Sequence, residues 1–164
     1  MGEYKKVKEY QRSIACRHLA EFLLRCKTLN GLEDTSCPES YFKIKEATVF
    51  GSLVNSNKEK VHDVDIHIVI EKEIPQEEIN LLMSIAPKSY SNFNKLIWVH
   101  TIGERYLKGS SSVLSLDSQD SIMDLTGKKI KIIDNYKFLY DNINSIFKSN
   151  NLNWSSIKTA LPNN

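Results

Sequence analysis

The sequence predicts an α/β (α+β) fold, a small mixed β-sheet of about four or five strands with helices mainly on one face. Three observations predict it. A short apolar run, Ala47–Phe50, stops at the turn pair Gly51-Ser52. A second run alternates from Asp63 to Ile70, with Val64, Ile66, Ile68 and Ile70 on one face and Asp63, Asp65, His67 and Val69 on the other. Behind Pro75 comes a helical pattern and then a third apolar run, Lys95–Thr101 (KLIWVHT), which makes a strand–helix–strand unit.

Taken in order, the chain first offers a helix from Tyr4 to Leu29. Val7, Ile14, Ala15, Leu19, Phe22, Leu23 and Cys26 recur at helical spacing, and Asn30-Gly31 is a natural stop. Its Lys and Arg residues read as a solvated face. Leu32–Ser40 reads as a loop, and Tyr41–Lys45 leads into the Ala47 strand. Pro75 can open a helix whose first turn, Gln76-Glu77-Glu78, is acidic. Ile79, Leu82, Met83 and Ala86 form its apolar stripe, and Pro87 ends it. Gly103–Ser112 reads as a Gly- and Ser-containing loop with Arg105 and Lys108 available to phosphates. Val113–Asp124 has no clear period. Lys128–Ile133 (KKIKII) reads as a strand after Gly127, and Tyr136–Phe147 as a helix. Trp154, Ile157 and Leu161 would dock a tail otherwise rich in Asn and Ser.

The 164 residues suffice for one domain, expected over residues 1–148 with a C-terminal tail at 149–164. Charged residues are 26% and hydrophobic residues 41%, so a globular chain is expected rather than a disordered one. With 22 basic and 20 acidic residues the net charge is +2; no global field calls for nucleic acid, and no DNA-binding signature is seen. No apolar run has the length of a membrane span, and the first residues lack a signal-peptide core. Cys16, Cys26 and Cys37 lack metal-ligand spacing, and the first two read as core residues of a reducing compartment, so a cytoplasmic location is expected.

The chemistry concentrates between Ala47 and Ile70. Asp is a poor strand former and like charges repel, so strand stability does not ask for Asp63 and Asp65 on one face. A divalent cation with oxygen ligands, Mg²⁺ or Mn²⁺, relieves such a pair. Gly51 permits a tight turn and close approach, and Ser52 offers its hydroxyl and backbone N–H to a phosphate. Capping of a turn by Asp63, with Asp65 merely solvated, is the competing reading.

Phe50-Gly51-Ser52 followed by Asp63-Val64-Asp65, eleven residues after Ser52, resembles the signature of the polymerase-β-like nucleotidyltransferase superfamily, nearest to its minimal members. The resemblance implies a nucleotidyltransferase-like domain in which Gly51 and Ser52 bind phosphate, and Asp63 and Asp65 bind metal and carry catalysis. It implies transfer of a nucleoside monophosphate from an NTP, ATP first among them, to a hydroxyl of a protein, an RNA or a small molecule. The chain departs from the family pattern at Ser56, where a Gly is common, and at His62, where a Ser is common. The family's third carboxylate, on a later strand, has no counterpart in Lys95–Thr101. His100 is a candidate ligand or base there, with a structural histidine as the competing reading, and His67 is a candidate second-shell group. Glu104, Asp117, Asp120 or Asp124 could supply the acid instead. A weakened site would leave a protein acting by nucleotide or partner binding, as an antitoxin or inhibitor does. A two-histidine phosphoesterase built on His67 and His100 is disfavoured, because His67 is followed by Ile-Val and His100 by Thr-Ile.

Overall fold

The computed structural model of the chain describes residues 8–121, 125–150 and 159–161. It is a mixed α+β fold built on one five-stranded sheet and a two-stranded ribbon. The elements in order are β1 (Tyr10–Gln11), α1 (Arg12–Gly31), a 3₁₀ turn (Pro38–Tyr41), β2 (Phe42–Phe50), α2 (Ser52–Asn55), β3 (Lys60–Val61) and β4 (Val64–Lys72). There follow α3 (Gln76–Ile85), α4 (Asn92–His100), α5 (Ile102–Lys108), β5 (Leu114–Asp117), β6 (Ile130–Asp134), β7 (Lys137–Phe138) and α6 (Tyr140–Ser149).

The large sheet has the order β5-β4-β2-β6-β7. β2 and β4 are antiparallel, with Phe50 opposite Asp65, Thr48 opposite His67 and Val49 opposite Ile66. Lys45 forms a bulge between Ile44 and Glu46. β5 joins β4 in parallel, which requires a long crossover, and α3, α4 and α5 supply it. A second register shift lies between β2 and β6, where Ala47 faces Ile133 and Thr48 faces Lys131; from Ala47 onward, β2, β4 and β5 keep the period of two. Ala47, Val49, Val64, Ile66, Ile68 and Leu114 are fully buried, in one core with the inner faces of α1, α5 and α6. Thr48, Asp65, His67, Ser115 and Asp117 share the opposite face.

Four expectations are corrected. The first helix starts at Arg12 rather than Tyr4, because Tyr10 and Gln11 pair with Val61 and Lys60; Tyr4 and Val7 lie outside the described residues. The run expected as a strand over Lys95–Thr101 is helical through His100. Ser91 caps α4, its side chain accepting from the Asn94 N–H, and the apolar run then winds with Val99 inward and Ile97 outward. Gly103–Lys108 is not a loop but α5, which buries Ile102, Gly103 and Leu107 and ends at Gly109 with φ +57°. In the last unit, Phe138 belongs to β7, and α6 begins only at Tyr140. Of the tail, Leu161 is buried against the core, while Trp154 and Ile157 lie outside the described residues.

Candidate metal and phosphate site

Gly51 follows the last residue of β2 with φ +77°, a conformation that L side chains rarely adopt. A Cβ on it would lie 2.2 Å from Asp65 Oδ2. The residue is therefore glycine for two reasons, and its backbone packs directly on the Asp65 carboxyl. The Gly51 carbonyl accepts from the Asn55 N–H at 3.0 Å and the Asn55 side-chain amide at 3.0 Å, which winds α2. Ser52 is the first residue of that turn, and its Oγ is buried with no hydrogen-bond partner.

Two clamps fix the turn. Asn55 Nδ2 donates to the Lys128 carbonyl at 2.9 Å, and the Lys128 N–H donates back to Asn55 Oδ1 at 2.6 Å. From the other side, Arg12 donates to the carbonyls of Leu53 (3.0 Å), Lys58 (2.6 Å) and Ser56, and to Asn150 Oδ1 (2.9 Å). A guanidinium suits this task, since its planar fork presents five donors to several carbonyls at once.

Asp63 lies just before β4 and Asp65 one residue inside it, both half-buried. Burial, and after it the Asp63 charge, push the Asp65 pKa from 3.8 up to about 6. His67, two residues on, is 4% exposed, and its Nε2 has no hydrogen-bond partner.

No protein-family model matches the chain, and comparisons with curated proteins and with solved structures found no match. Among the described residues, no three His, Cys, Asp or Glu side chains gather closely enough to hold a metal ion. No described helix is long and apolar enough to cross a membrane.

The strand beside Asp65 on the far side from β2 is β5, and the residue in register with Asp65 there is Ser115. Asp117 is opposite His67, one pleat further from Gly51, and its Oδ1 accepts from the Gln119 N–H at 2.7 Å. It shares the face of Asp65, but not the position beside it. His100 is not on this sheet. It ends α4, three residues before Gly103, whose Cα packs on the Phe42 ring, where a Cβ would meet Phe42 Cδ1 at 2.7 Å. Phe42 opens β2 and Gly51 follows its close, so nine strand residues, roughly 30 Å, separate them. The reading of His100 as a neighbour of Asp63 and Asp65 is thereby corrected. Glu104 sits in the first turn of α5, near that same distant end. Asp120 is exposed in the turn after β5, and Asp124 lies outside the described residues. Arg105, expected to be free for phosphates, instead donates to the Trp98 carbonyl at 2.8 Å and lies 5.0 Å from the Trp98 ring centroid.

Sequence reasoning missed Arg12 and Asn55. Arg12 was legible only as one of several basic residues on a helix, and its burial depends on a turn more than forty positions away. For Asn55 a signal existed: Asn at the end of a tight turn, with Gly127 later in the chain at φ +109° and its Cα against Asn55.

Proposed function

We propose that this chain is a metal-dependent nucleotidyltransferase, moving a nucleoside monophosphate from an NTP to an acceptor hydroxyl with release of pyrophosphate. One observation carries the reading: the Gly51 backbone packs against the Asp65 carboxyl with no room for a Cβ, which couples a phosphate-type turn to a carboxylate pair. The reading also rests on the resemblance of Gly51-Ser52 and Asp63-Val64-Asp65 to the polymerase-β-like superfamily.

The donor set fits Mg²⁺ or Mn²⁺. Two neighbouring carboxyls, one with its pKa raised by burial and by the charge of the other, are hard oxygen ligands, and the buried Ser52 Oγ lacks a partner. Asp63 and Asp65 would hold the cation, which when bound neutralises polyphosphate charge and acidifies an acceptor hydroxyl. Ser52 Oγ and the α2 backbone would orient the β- and γ-phosphates. In the transfer itself, the acceptor oxygen bonds to the α-phosphorus, the bond to the bridging oxygen breaks, and pyrophosphate leaves with the electron pair. The hydroxyl proton passes to solvent.

A second reading, a nucleotide- or partner-binding protein of antitoxin or inhibitor type on the same fold, is favoured by Ser115 standing beside Asp65 where a third carboxylate would complete the site. Pyrophosphate release from each NTP, with Mg²⁺ or Mn²⁺ and a cell lysate as acceptor source, separates the two. Release that both Asp63→Asn and Asp65→Asn abolish supports the transferase, and the labelled product identifies a protein, RNA or small-molecule acceptor. Metal-dependent nucleotide binding without release supports the second reading. Neither activity refutes both.

A further inference from the structure

Six of the eight large apolar side chains exposed among the described residues fall in the short stretch between Leu81 and Ile97. Leu81 and Ile85 lie one turn apart on α3; Phe93, Leu96 and Ile97 share a stripe on α4; Tyr90 sits between the helices. α3 packs Ile79, Leu82 and Met83 against the core and α4 packs Trp98 and Val99, which leaves the outer apolar residues of both helices uncovered. Phe93 is 71% exposed and Ile85 67%. The exposed fractions of the six amount to roughly three whole side chains, about 600 Å² of apolar surface, at the upper end for a surface patch of a monomer.

We propose that this hairpin face is a self-association surface, on which two copies of the chain pack their α3–α4 pairs into a four-helix arrangement. Two observations favour a second copy as the occupant. The first is area: two such patches together remove about 1,200 Å² from water, which reaches the range of stable interfaces. The second is charge and register. α3 carries Glu77 and Glu78 at its start and is followed by Lys88. Two α3 helices antiparallel about a two-fold axis at Met83 place Leu81 of one copy opposite Ile85 of the other. The acidic first turn of one copy then comes alongside the C-terminal end of the other, which Lys88 follows beyond Pro87, twice by symmetry. The surface lies away from the carboxylate pair: Leu82, Ile85 and Trp98 line a cleft of about 300 Å³ with Pro38 and Glu39, just ahead of the Phe42 end of β2.

Sedimentation velocity and light scattering of the full chain, from about 1 to about 100 μM, test the proposal. The wild type is expected at twice 18.8 kDa. The Ile85→Glu/Phe93→Glu variant should run as a monomer, with its dissociation constant raised about 100-fold or more, its circular dichroism unchanged and its Tm independent of protein concentration. Glu77→Lys/Glu78→Lys and Lys88→Glu should each weaken the dimer about three- to tenfold, and an equimolar mixture of the two should recover it. A wild type monomeric throughout overturns the proposal, including the case in which it binds anionic phospholipid vesicles through this face. So does a dimer that survives the Ile85→Glu/Phe93→Glu change.

Discussion

Replacing Asp65 by Asn is expected to make the metal-free protein more stable while removing its capacity to hold a cation. In the wild type, burial and the neighbouring Asp63 raise the Asp65 pKa from 3.8 to about 6. Across that window the folded chain holds a proton that the unfolded chain has released. Unfolding free energy therefore falls as pH rises from about 4 to about 6 and levels off above it. A shift of two units corresponds to about 3 kcal/mol, and solvent screening of a half-buried carboxyl reduces this to about 1–1.5 kcal/mol. Asn removes the charge. Asp65→Asn should then exceed the wild type by about 1 kcal/mol at pH 7.5 in chelator, roughly 2–4 °C in Tm, with the difference vanishing near pH 4. Adding Mg²⁺ reverses the order: at ten times its Kd the wild type gains about 1.4 kcal/mol and the variant nothing. Urea denaturation at three pH values, with and without Mg²⁺, reads each step. A variant no more stable than the wild type at pH 7.5 in chelator, or a difference independent of pH, would refute the reasoning.

Four further outcomes are expected. Gly51→Ala, strained by φ +77° and by a Cβ 2.2 Å from Asp65 Oδ2, should cost about 2–4 kcal/mol in urea denaturation. Gly31→Ala, at the end of α1 with open space around the added Cβ, should gain about 0.5–1 kcal/mol in the same assay. Arg12→Leu leaves the Leu53, Ser56 and Lys58 carbonyls without their donor, and should cost about 2–3 kcal/mol and raise amide exchange across residues 52–58; Arg12→Lys should recover only part. Burial pushes the Cys16 thiol up to about 11 and the Cys26 thiol well above its ordinary value, and the Glu39 hydrogen bond raises Cys37. A thiol reagent at pH 8 should accordingly find at most Cys37, slowly, in the folded chain and all three cysteines in denaturant.

What the sequence made legible is what short-range chemistry decides. The alternation along Asp63–Ile70 identified β4 and its two faces, because one face is buried and a one-residue slip would reverse every side chain. Pro75 with its acidic first turn located α3, and Gly51 marked the end of β2, where no other residue fits. The misreadings have physical reasons too. Lys95–Thr101 is too short for its period to separate strand from helix, and Leu96 and Ile97 are apolar yet exposed, so the polar face that marks a surface helix is missing. α5 was obscured by Gly103, which reads as a loop residue but is there to let the helix approach the Phe42 ring. Tyr136, at φ +67°, adopts a left-handed turn that nothing about tyrosine announces. At the candidate site, Gly51, Ser52, Asp63 and Asp65 were readable because they are close in sequence. The position beside Asp65, filled by Ser115, depended on which later segment pairs with β4, and periodicity is silent on that.

The clamps on the Gly51 turn bear on how the protein is made. Gly51, Ser52, Asp63 and Asp65 have all been synthesised once residue 65 is reached, yet Asn55 waits for the backbone of Lys128, and Arg12 for the side chain of Asn150. During synthesis at about 5–20 residues per second, a nascent chain therefore carries the acidic pair for several seconds before its turn has both anchors. The turn becomes fully fastened only when α6 and Asn150 have emerged from the ribosome, so the local order of the Gly51 turn lags well behind the synthesis of its own residues.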